Sequence, residues 1–206
     1  MQRVTVYIDG FNLYFGLRSK GWRRYYWLDL HLLSNKLLRF GQRLEAVHYF
    51  TARIVPEPNN PGKSMRQDTF LDAIATLPDV HIHEGYFLPK QVSCANCKTT
   101  WQTYEEKMTD VNIATRLLGD AQDDVFDTAI VMSGDGDLAT PVRAVGKRYP
   151  RKRTVIAFPP GRHATALVHA ATAHFTIGRG VIKDSQLPSK ITKPDGYVLT
   201  RPPSWK

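Results

Sequence analysis

The sequence predicts a three-layer α/β fold in which helices cover both faces of a mainly parallel sheet. Patterns typical of strands and of helices alternate along the 206 residues, and this order is characteristic of parallel strands joined by crossover helices. The strand patterns are mostly apolar, as expected of strands buried on both faces. With 42% hydrophobic residues, the chain can bury one substantial core, so a single domain is expected over residues 1–180.

Periodicity and chain-breaking residues give the order of the elements. Gly41 closes one helical pattern, and Pro56, Pro58 and Pro61 stop the strand pattern before them. The predicted elements are a strand at 3–9, helices at 12–18 and 28–40, a strand at 46–55, a helix at 65–77, a strand at 80–88, a helix at 108–118, a strand at 127–133, a helix after Asp137 and a strand at 153–158.

Charge is distributed unevenly along the chain. The formal net charge is +9, yet the segment 105–137 holds nine acidic residues and two basic ones. Lys and Arg attract phosphates, whereas bare carboxylates repel them. The distribution therefore suits a polyanion bound by the basic body and a cation bound at the acidic centre, although one solvated acidic helix is the plainer explanation. Four of these acids are interpreted as solvated loop residues, namely Asp120, Asp123, Asp124 and Asp127.

Several polar residues are expected at one edge of the sheet. Functional side chains of doubly wound sheets collect at the carboxyl ends of the strands. Asp9 ends the first strand, and Ser133, Asp135 and Asp137 follow a later one. Asp110 lies near the start of the helix that precedes that later strand, and this helix should begin at the same edge. Four aspartates are therefore expected to converge.

Carboxylates this close repel one another unless they are protonated or bind a cation. An oxygen-only ligand set favours Mg²⁺ or Mn²⁺ over Zn²⁺, and such ions assist hydrolysis of phosphodiesters. Structural explanations also exist, because Asp110 suits a helix N-terminus and Asp-Gly pairs suit turns. Asn12 is either a helix cap or a ligand for water or phosphate, and Ser133 either binds phosphate or supports an aspartate.

Four motifs together resemble the NYN domain, a branch of the PIN-like nuclease fold, in its LabA-like form. They are "VYIDGFNLYFGL", "EEKMTDVNIATRLL", "AIVMSGDGDLATPVRAV" and "VIAFPPGRHATAL". The similarity extends over nearly the whole chain, including the ending "LPSKITKPDGYVLTRPPSWK". The combination in this order is specific, whereas each motif alone is weak.

This resemblance implies a PIN-like sandwich and metal-dependent hydrolysis of RNA with water as the nucleophile. The family's acidic residues correspond to Asp9, Asp110, Asp135 and Asp137, which would hold Mg²⁺ or Mn²⁺, and its asparagine corresponds to Asn12. Lys107 matches the family's lysine and would pair with an aspartate or contact phosphate. The rival hypothesis is a catalytically silent RNA-binding or partner-recruiting module, although four retained acids would weaken RNA binding by a purely binding surface.

Two cysteines with zinc-knuckle spacing, Cys94 and Cys97, lie in a predicted insertion near residues 89–104. A closed zinc site needs four ligands. His81 and His83, on one face of the preceding strand, are candidate partners if the loop folds back, and the cysteines of a second subunit are another source. A pair of thiols without metal is the alternative.

Basic and aromatic residues alternate shortly after the first motif. Arg18, Arg23 and Arg24 lie among Trp22, Tyr25, Tyr26 and Trp27. Bases stack on aromatic rings and guanidinium groups bind phosphates, so this segment is a candidate RNA contact. Core packing is the alternative, especially for Trp27. Arg162 and His163 follow the strand at 153–158 at the acidic edge and are candidate phosphate contacts.

Residues 181–206 are predicted to wrap around the domain, because their apolar side chains require burial. No apolar run is long enough for a membrane span or a signal peptide, and two cysteines fit a reducing compartment, so a cytoplasmic protein without membrane contact is expected. The aromatic-rich surface and the family likeness make a homodimer reasonable.

Overall fold

The computed structural model describes residues 1–56, 60 and 62–205. A seven-stranded sheet forms its centre and contains β1 (Gln2–Asp9), β2 (Gln42–Ala52), β3 (Val80–Ser93), β4 (Thr100–Lys107), β5 (Thr128–Met132), β6 (Arg153–Phe158) and β7 (Ala173–Thr176). The strand order is β4-β3-β2-β1-β5-β6-β7. Every neighbouring pair is parallel except β3 and β4, so the predicted fold class is confirmed.

Helices cover both faces of this sheet. They are α1 (Gly10–Ser19), α2 (Leu30–Lys36), α3 (Gly62–Ile74), α4 (Thr109–Gln122), α5 (Ala139–Arg148), α6 (Thr165–Ala170) and α7 (Arg179–Lys183). None of these helices is both long and apolar enough to cross a bilayer. Short 3₁₀ helices lie at Arg23–Tyr25, Gly136–Leu138 and Pro203–Trp205.

Most element boundaries differ from the predicted ones by a few residues. The strand predicted at 46–55 begins earlier and ends at Ala52. It therefore stops before Pro56, and Pro58 and Pro61 lie outside the described residues. The predicted strand at 80–88 continues to Ser93 and pairs with β4. β4 was not predicted, because its "TWQTYEEK" sequence is mostly polar.

The core lies on both faces of β1. Val4, Val6 and Ile8 pack into the cluster beneath α1, α2 and α3, whereas Tyr7 packs into the cluster beneath α4 and α5. Both faces are apolar because helices cover both of them. Because both faces of the strand are apolar, polar side chains that could take part in a reaction are expected at the ends of the strands.

Among the acids at the far end of α4, Asp120 is less solvated than expected, whereas Asp123 and Asp124 are exposed. Asp120 lies inside α4, is 4% exposed, and accepts hydrogen bonds from Tyr7 Oη at 2.8 Å and Arg116 Nε at 2.9 Å. Its interpretation as a solvated loop residue is therefore wrong, because the helix continues and turns this carboxylate toward the sheet. Asp124 and Asp127 form ion pairs with Arg3.

The C-terminal segment contributes to the core of the domain. It forms a two-stranded sheet of β8 (Lys190–Thr192) and β9 (Val198–Thr200), followed by the last 3₁₀ helix. Trp205 is 8% exposed and its ring lies 6.2 Å from both Trp27 and Phe70. Trp27 is fully buried and donates from Nε1 to the Pro188 carbonyl at 2.7 Å.

Replacing Trp205 with Ala should lower the free energy of unfolding by about 3 kcal/mol, because it leaves a cavity among aromatic rings. Tyr197→Ala, in the same segment, is the control, since Tyr197 is 62% exposed and its truncation should cost less than about 0.5 kcal/mol. Urea denaturation followed by tryptophan fluorescence and circular dichroism measures both changes. Equal losses would contradict a packing role for Trp205.

Candidate active site

The side chain of Asp9 is the centre of the site. Asp9 ends β1, caps α1, and is 2% exposed. Its Oδ1 accepts from the Asn12 backbone N–H at 2.9 Å, and its Oδ2 accepts from Asn12 Nδ2 at 2.6 Å and Ser133 Oγ at 2.8 Å. The buried carboxylate is therefore held in one orientation by donors from two different segments of the chain.

The loop after β5 completes this hydrogen-bond network. Ser133 Oγ accepts from the Asp135 N–H at 3.0 Å, and Asn12 Oδ1 accepts from the Gly134 N–H at 3.2 Å. Asp135 in turn accepts from the Asp137 N–H at 3.0 Å and caps the 3₁₀ helix. A Cβ atom at Gly134 would lie 2.6 Å from Arg162 Cβ, so only glycine permits this close approach of the two loops.

Asp110 reaches the same edge through the sharp change of direction between β4 and α4. Met108 makes this turn with φ 81°, a left-handed conformation that is uncommon for a residue with a side chain. Gly85 allows the Lys107 carbonyl to pack against β3, because a Cβ at that position would clash with the carbonyl. Glu106 Oε1 accepts from the Thr109 N–H at 3.2 Å and fixes the first turn of α4.

These residues line one cavity of about 220 Å³ at the carboxyl ends of β1 and β5. Its lining residues are Asp9, Phe11, Asn12, Phe15, Glu106, Thr109, Asp110, Asp135 and Arg162. Two polar atoms of the lining, Thr109 Oγ1 and Arg162 Nε, are buried without a hydrogen-bond partner among the described residues. A buried polar atom without a partner is costly, so both atoms favour a polar occupant.

The cavity concentrates negative charge. Burial and then the neighbouring Asp135, Asp9, Glu106 and Asp137 raise the pKa of Asp110 to about 6. Burial also raises the pKa of Asp9, although hydrogen bonds from Asn12 and Ser133 oppose the effect. Across the described ranges, the cavity aspartates Asp9, Asp110 and Asp135 form no ion pair.

Acids outside the cavity behave differently, since Asp120, Asp124 and Asp127 each pair with a cationic side chain. Of the aspartates in these two groups, those without a cationic partner are therefore the ones that line the cavity. Arg3 lowers the pKa of Asp127 to about 2, which is the opposite of the shift at Asp110. The contrast shows that position in the fold, rather than residue type, sets the electrostatic role of each aspartate.

The donor set fits a hard divalent cation. It consists of carboxylate, amide and hydroxyl oxygens, the ligands that Mg²⁺ and Mn²⁺ prefer. The crowded carboxylates and the unpaired Thr109 hydroxyl are what a cation would stabilise. Within residues 1–56, 60 and 62–205, no three His, Cys, Asp or Glu side chains already stand in a metal-holding arrangement. The cavity therefore offers the ligands without a closed cage.

Other candidate residues lie at the rim of the cavity or outside it. Asp137 is exposed and absent from the lining, although its charge contributes to the raised pKa of Asp110. Lys107 Nζ pairs with Glu105 at 2.7 Å instead of an aspartate. The exposed His163 ring packs against Phe158, with centroids 4.6 Å apart.

Arg18, Arg23 and Arg24 are exposed and do not line the cavity. Arg24 instead lines a separate, wider depression of about 610 Å³ together with Tyr25, Arg179, Gly180 and Lys183. The Arg24 and Arg179 guanidinium groups lie over the Tyr25 ring at 5.0 and 5.9 Å. No described acid pairs with either arginine or with Lys183, so this basic depression is free to bind an anion.

The expectation that His81 and His83 complete a zinc site with Cys94 and Cys97 is wrong within one chain. His83 lies near the start of β3, and its Nε2 is 2.9 Å from His48 Nδ1. Cys94 follows the last residue of the same strand. Cys94 follows His83 by eleven positions of extended chain, a distance of roughly 35 Å, because the segment continues as a strand and does not fold back.

Four cavity residues were not predicted from the sequence as site residues, namely Phe11, Phe15, Glu106 and Thr109. Glu106 and Thr109 flank Met108, and their role depends on the β4–α4 turn, which gives no periodic signal. Phe15 has the helical spacing of a core residue, yet it is 39% exposed and lies beneath the Arg162 guanidinium at 5.8 Å. The available signal for Glu106 was its place in the "EEKMTD" motif, four positions before Asp110.

A parallel α/β sandwich with an acidic cavity at the carboxyl ends of its central strands has the architecture of the PIN-like nuclease folds. Residues 3–179 match the model of the NYN domain family. The chain belongs to the NYN domain family, and the PIN-like nuclease fold of that family supports a nuclease role.

Two individual proteins are also similar to this chain. One is the 6-hydroxy-3-succinoylpyridine 3-monooxygenase HspA of Pseudomonas putida, with 27% identity over 242 residues that cover 98% of this chain and 75% of that protein. The other is the crystal structure of a protein of unknown function from Vibrio parahaemolyticus. It has a TM-score of 0.53 and 15% identity, and the match covers 86% of this chain and 94% of that one. The second likeness supports the fold alone.

The raised pKa of Asp110 predicts a pH-dependent stabilisation by Asp110→Asn in metal-free buffer. The unfolded carboxyl ionises near its ordinary pKa of 3.8, whereas the folded one ionises near 6. The Asp110 charge therefore leaves the free energy of unfolding unchanged below pH 4. Its destabilising effect grows as the pH rises from 4 to 6 and reaches its full size above pH 6. The variant should gain on the order of 1 kcal/mol at pH 7.5 and little at pH 4.

Thermal melts with EDTA at both pH values measure this gain. Asp123→Asn is the control, because it removes the same charge from an exposed position beyond the other end of α4, about 20 Å away. A destabilised Asp110→Asn protein at pH 7.5 would instead indicate that this carboxylate supports the fold.

Proposed function

We propose that this protein is a metal-dependent ribonuclease that hydrolyses RNA phosphodiester bonds in the acidic cavity. The observation that carries the proposal is the convergence of Asp9, Asp110 and Asp135, from distant parts of the sequence, around one cavity that also contains an unpaired arginine nitrogen. Carboxylates without cationic partners suit a divalent cation, and a half-buried arginine with a buried Nε–H suits a phosphate oxygen.

Asp9, Asp110 and Asp135 would hold Mg²⁺ or Mn²⁺, with Asp137 at the rim. The cation would supply positive charge that lowers the pKa of an attacking water and stabilises charge on the phosphodiester. Asn12 and Ser133 are positioning residues, because they fix the Asp9 carboxylate through its Oδ2. Asp9 Oδ1 accepts only one hydrogen bond among the described residues and so retains acceptor capacity.

The substrate strand is proposed to follow the aromatic and basic residues beside the cavity. Arg162 would neutralise a phosphate at the reacting linkage. Phe11 and Phe15 stack with centroids 6.4 Å apart and offer a surface on which a base can stack. Further from the cavity, the basic depression of Arg24, Arg179 and Lys183 would bind the backbone of the same strand. RNA is favoured as the substrate because the unpaired bases of single-stranded RNA are accessible to such aromatic surfaces.

Metal dependence of cleavage is the direct test of this proposal. With labelled single-stranded and hairpin RNA, cleavage should occur with Mn²⁺ or Mg²⁺ and stop with EDTA. Asp110→Asn and Asp135→Asn should each lower the rate roughly 100-fold or more, because a ligand contributes several kcal/mol to the transition state. Asp123→Asn, a matched loss of charge on an exposed residue, should retain full activity.

Three alternative outcomes would contradict the proposal. RNA binding without metal-dependent cleavage would identify a catalytically silent RNA-binding or partner-recruiting module. Cleavage that persists in both aspartate variants would indicate a contaminating nuclease. A parallel assay with 6-hydroxy-3-succinoylpyridine, oxygen and a two-electron reductant tests the activity in the name of the Pseudomonas putida relative. Turnover there without RNA cleavage would favour redox chemistry.

The basic depression gives a second, separable prediction about RNA binding. The double variant Arg179→Ala with Lys183→Ala should weaken binding of single-stranded RNA roughly tenfold, because two phosphate contacts are lost. The slope of the logarithm of the binding constant against the logarithm of salt concentration should become shallower by about 1.4. Lys147→Ala with Arg151→Ala is the matched control, since it removes two exposed cations at the opposite edge of the sheet. Fluorescence anisotropy in EDTA, where turnover is prevented, compares them; equal losses would contradict a localised contact.

A further inference from the structure

The β3–β4 hairpin extends beyond the rest of the sheet. β3 pairs with β2 only from Val80 to Gly85, whereas its pairing with β4 runs from Tyr86 to Ser93. Eight residue pairs therefore form a two-stranded arm about 26 Å long. A two-stranded hairpin is marginally stable by itself, so the arm is expected to gain stability from an additional contact.

The arm exposes large apolar side chains. Tyr86 is 51% exposed, Leu88 45% and Trp101 49%. These three residues share one face of the hairpin, because Trp101 pairs with Val92 and side chains alternate along each strand. The same face carries the ion pair of Lys90 and Glu105 at 3.3 Å. Apolar residues gathered with paired charges are typical of a contact surface.

Two thiols lie together at the tip of the arm. The turn is closed by hydrogen bonds from the Cys94 N–H to the Thr99 carbonyl at 2.9 Å and from the Lys98 N–H to the Cys94 carbonyl at 3.0 Å. Cys97 Sγ lies 3.2 Å from Thr99 Oγ1. The Cys94 side chain also lies within hydrogen-bonding reach of Cys97.

This pair has the spacing that supplies half of the ligands in structural zinc sites. Zinc in closed sites takes four ligands, and a turn with two intervening residues supplies two of them. No third His, Cys, Asp or Glu of the described chain stands close enough to form a group with the pair. The missing ligands must come from another molecule, and a second copy related by a twofold axis supplies the same two thiols again.

We propose that two copies of this chain join through their β3–β4 arms and share one Zn²⁺, held by Cys94 and Cys97 of each copy. Binding converts four thiols into four thiolates and releases four protons, leaving tetrahedral zinc with four sulfur ligands. The exposed Leu88 and Trp101 side chains lie along the same arm and become covered in the dimer. The inference is independent of the proposed ribonuclease function, because neither thiol lines the acidic cavity.

Zinc content and molar mass test the proposal together. Protein purified with a phosphine reductant should contain about 0.5 zinc per chain and run as a dimer in size-exclusion chromatography with light scattering. Cobalt substitution should give the absorption bands of a tetrahedral tetrathiolate site. Cys97→Ser should lower the zinc content at least tenfold and make the protein monomeric. Thr100→Ala, which changes the same tip but removes no ligand, should keep both the zinc and the dimer.

A second measurement avoids dependence on a variant that fails to fold. Removal of zinc from the unmodified protein by a strong chelator should dissociate the dimer, and added Zn²⁺ should restore it. A zinc-free monomer, a monomer with one zinc per chain, or a dimer that survives both chelation and Cys97→Ser would overturn the shared site. A Cys94–Cys97 disulfide in the freshly purified reduced protein would do so as well.

Discussion

The hydrogen bonds around the buried Asp9 carboxylate hold the carboxyl edge of the sheet together. They join the end of β1, the first turn of α1 and the loop after β5 through Asn12 and Ser133. Burial opposes the charge of Asp9, and the three donors stabilise it. The edge is therefore built around a charged group that no cationic side chain of the described chain neutralises, and the remaining features of the site follow from this constraint.

The rest of the electrostatic arrangement separates structural acids from functional ones. At the amino edge, Arg3 and Lys152 neutralise Asp124 and Asp127 and thereby fasten the start of β1 to the end of α4. At the carboxyl edge the acids lack such partners, and the cations instead occupy neighbouring surfaces around Arg162 and Arg179. A phosphodiester can thus approach along basic residues while the acidic cavity remains available to a cation.

The fold class and much of the acidic edge could be predicted from the sequence. Apolar strand patterns alternating with helical ones required a sheet covered on both faces, and parallel strands bring Asp9 and Asp135 to one edge. Glu106, Thr109 and Asp120 were beyond such reasoning. Their positions depend on the left-handed turn at Met108 and on the length of α4, and local propensity fixes neither. The long β3–β4 arm was also missed, because its polar, exposed sequence lacks the periodic burial that marks a strand.

The sequence by itself determined which residue types were available, the order of the elements from β1 to β6 apart from β4, and the membership of the NYN domain family. Only the tertiary structure decided which aspartates are paired and which are not, because several of the pairs join different elements, such as Arg3 and Asp127. It also separated the two cysteines from the histidines of the same strand. Sequence patterns encode burial along one element, whereas electrostatic partners and metal ligands are set by contacts between elements.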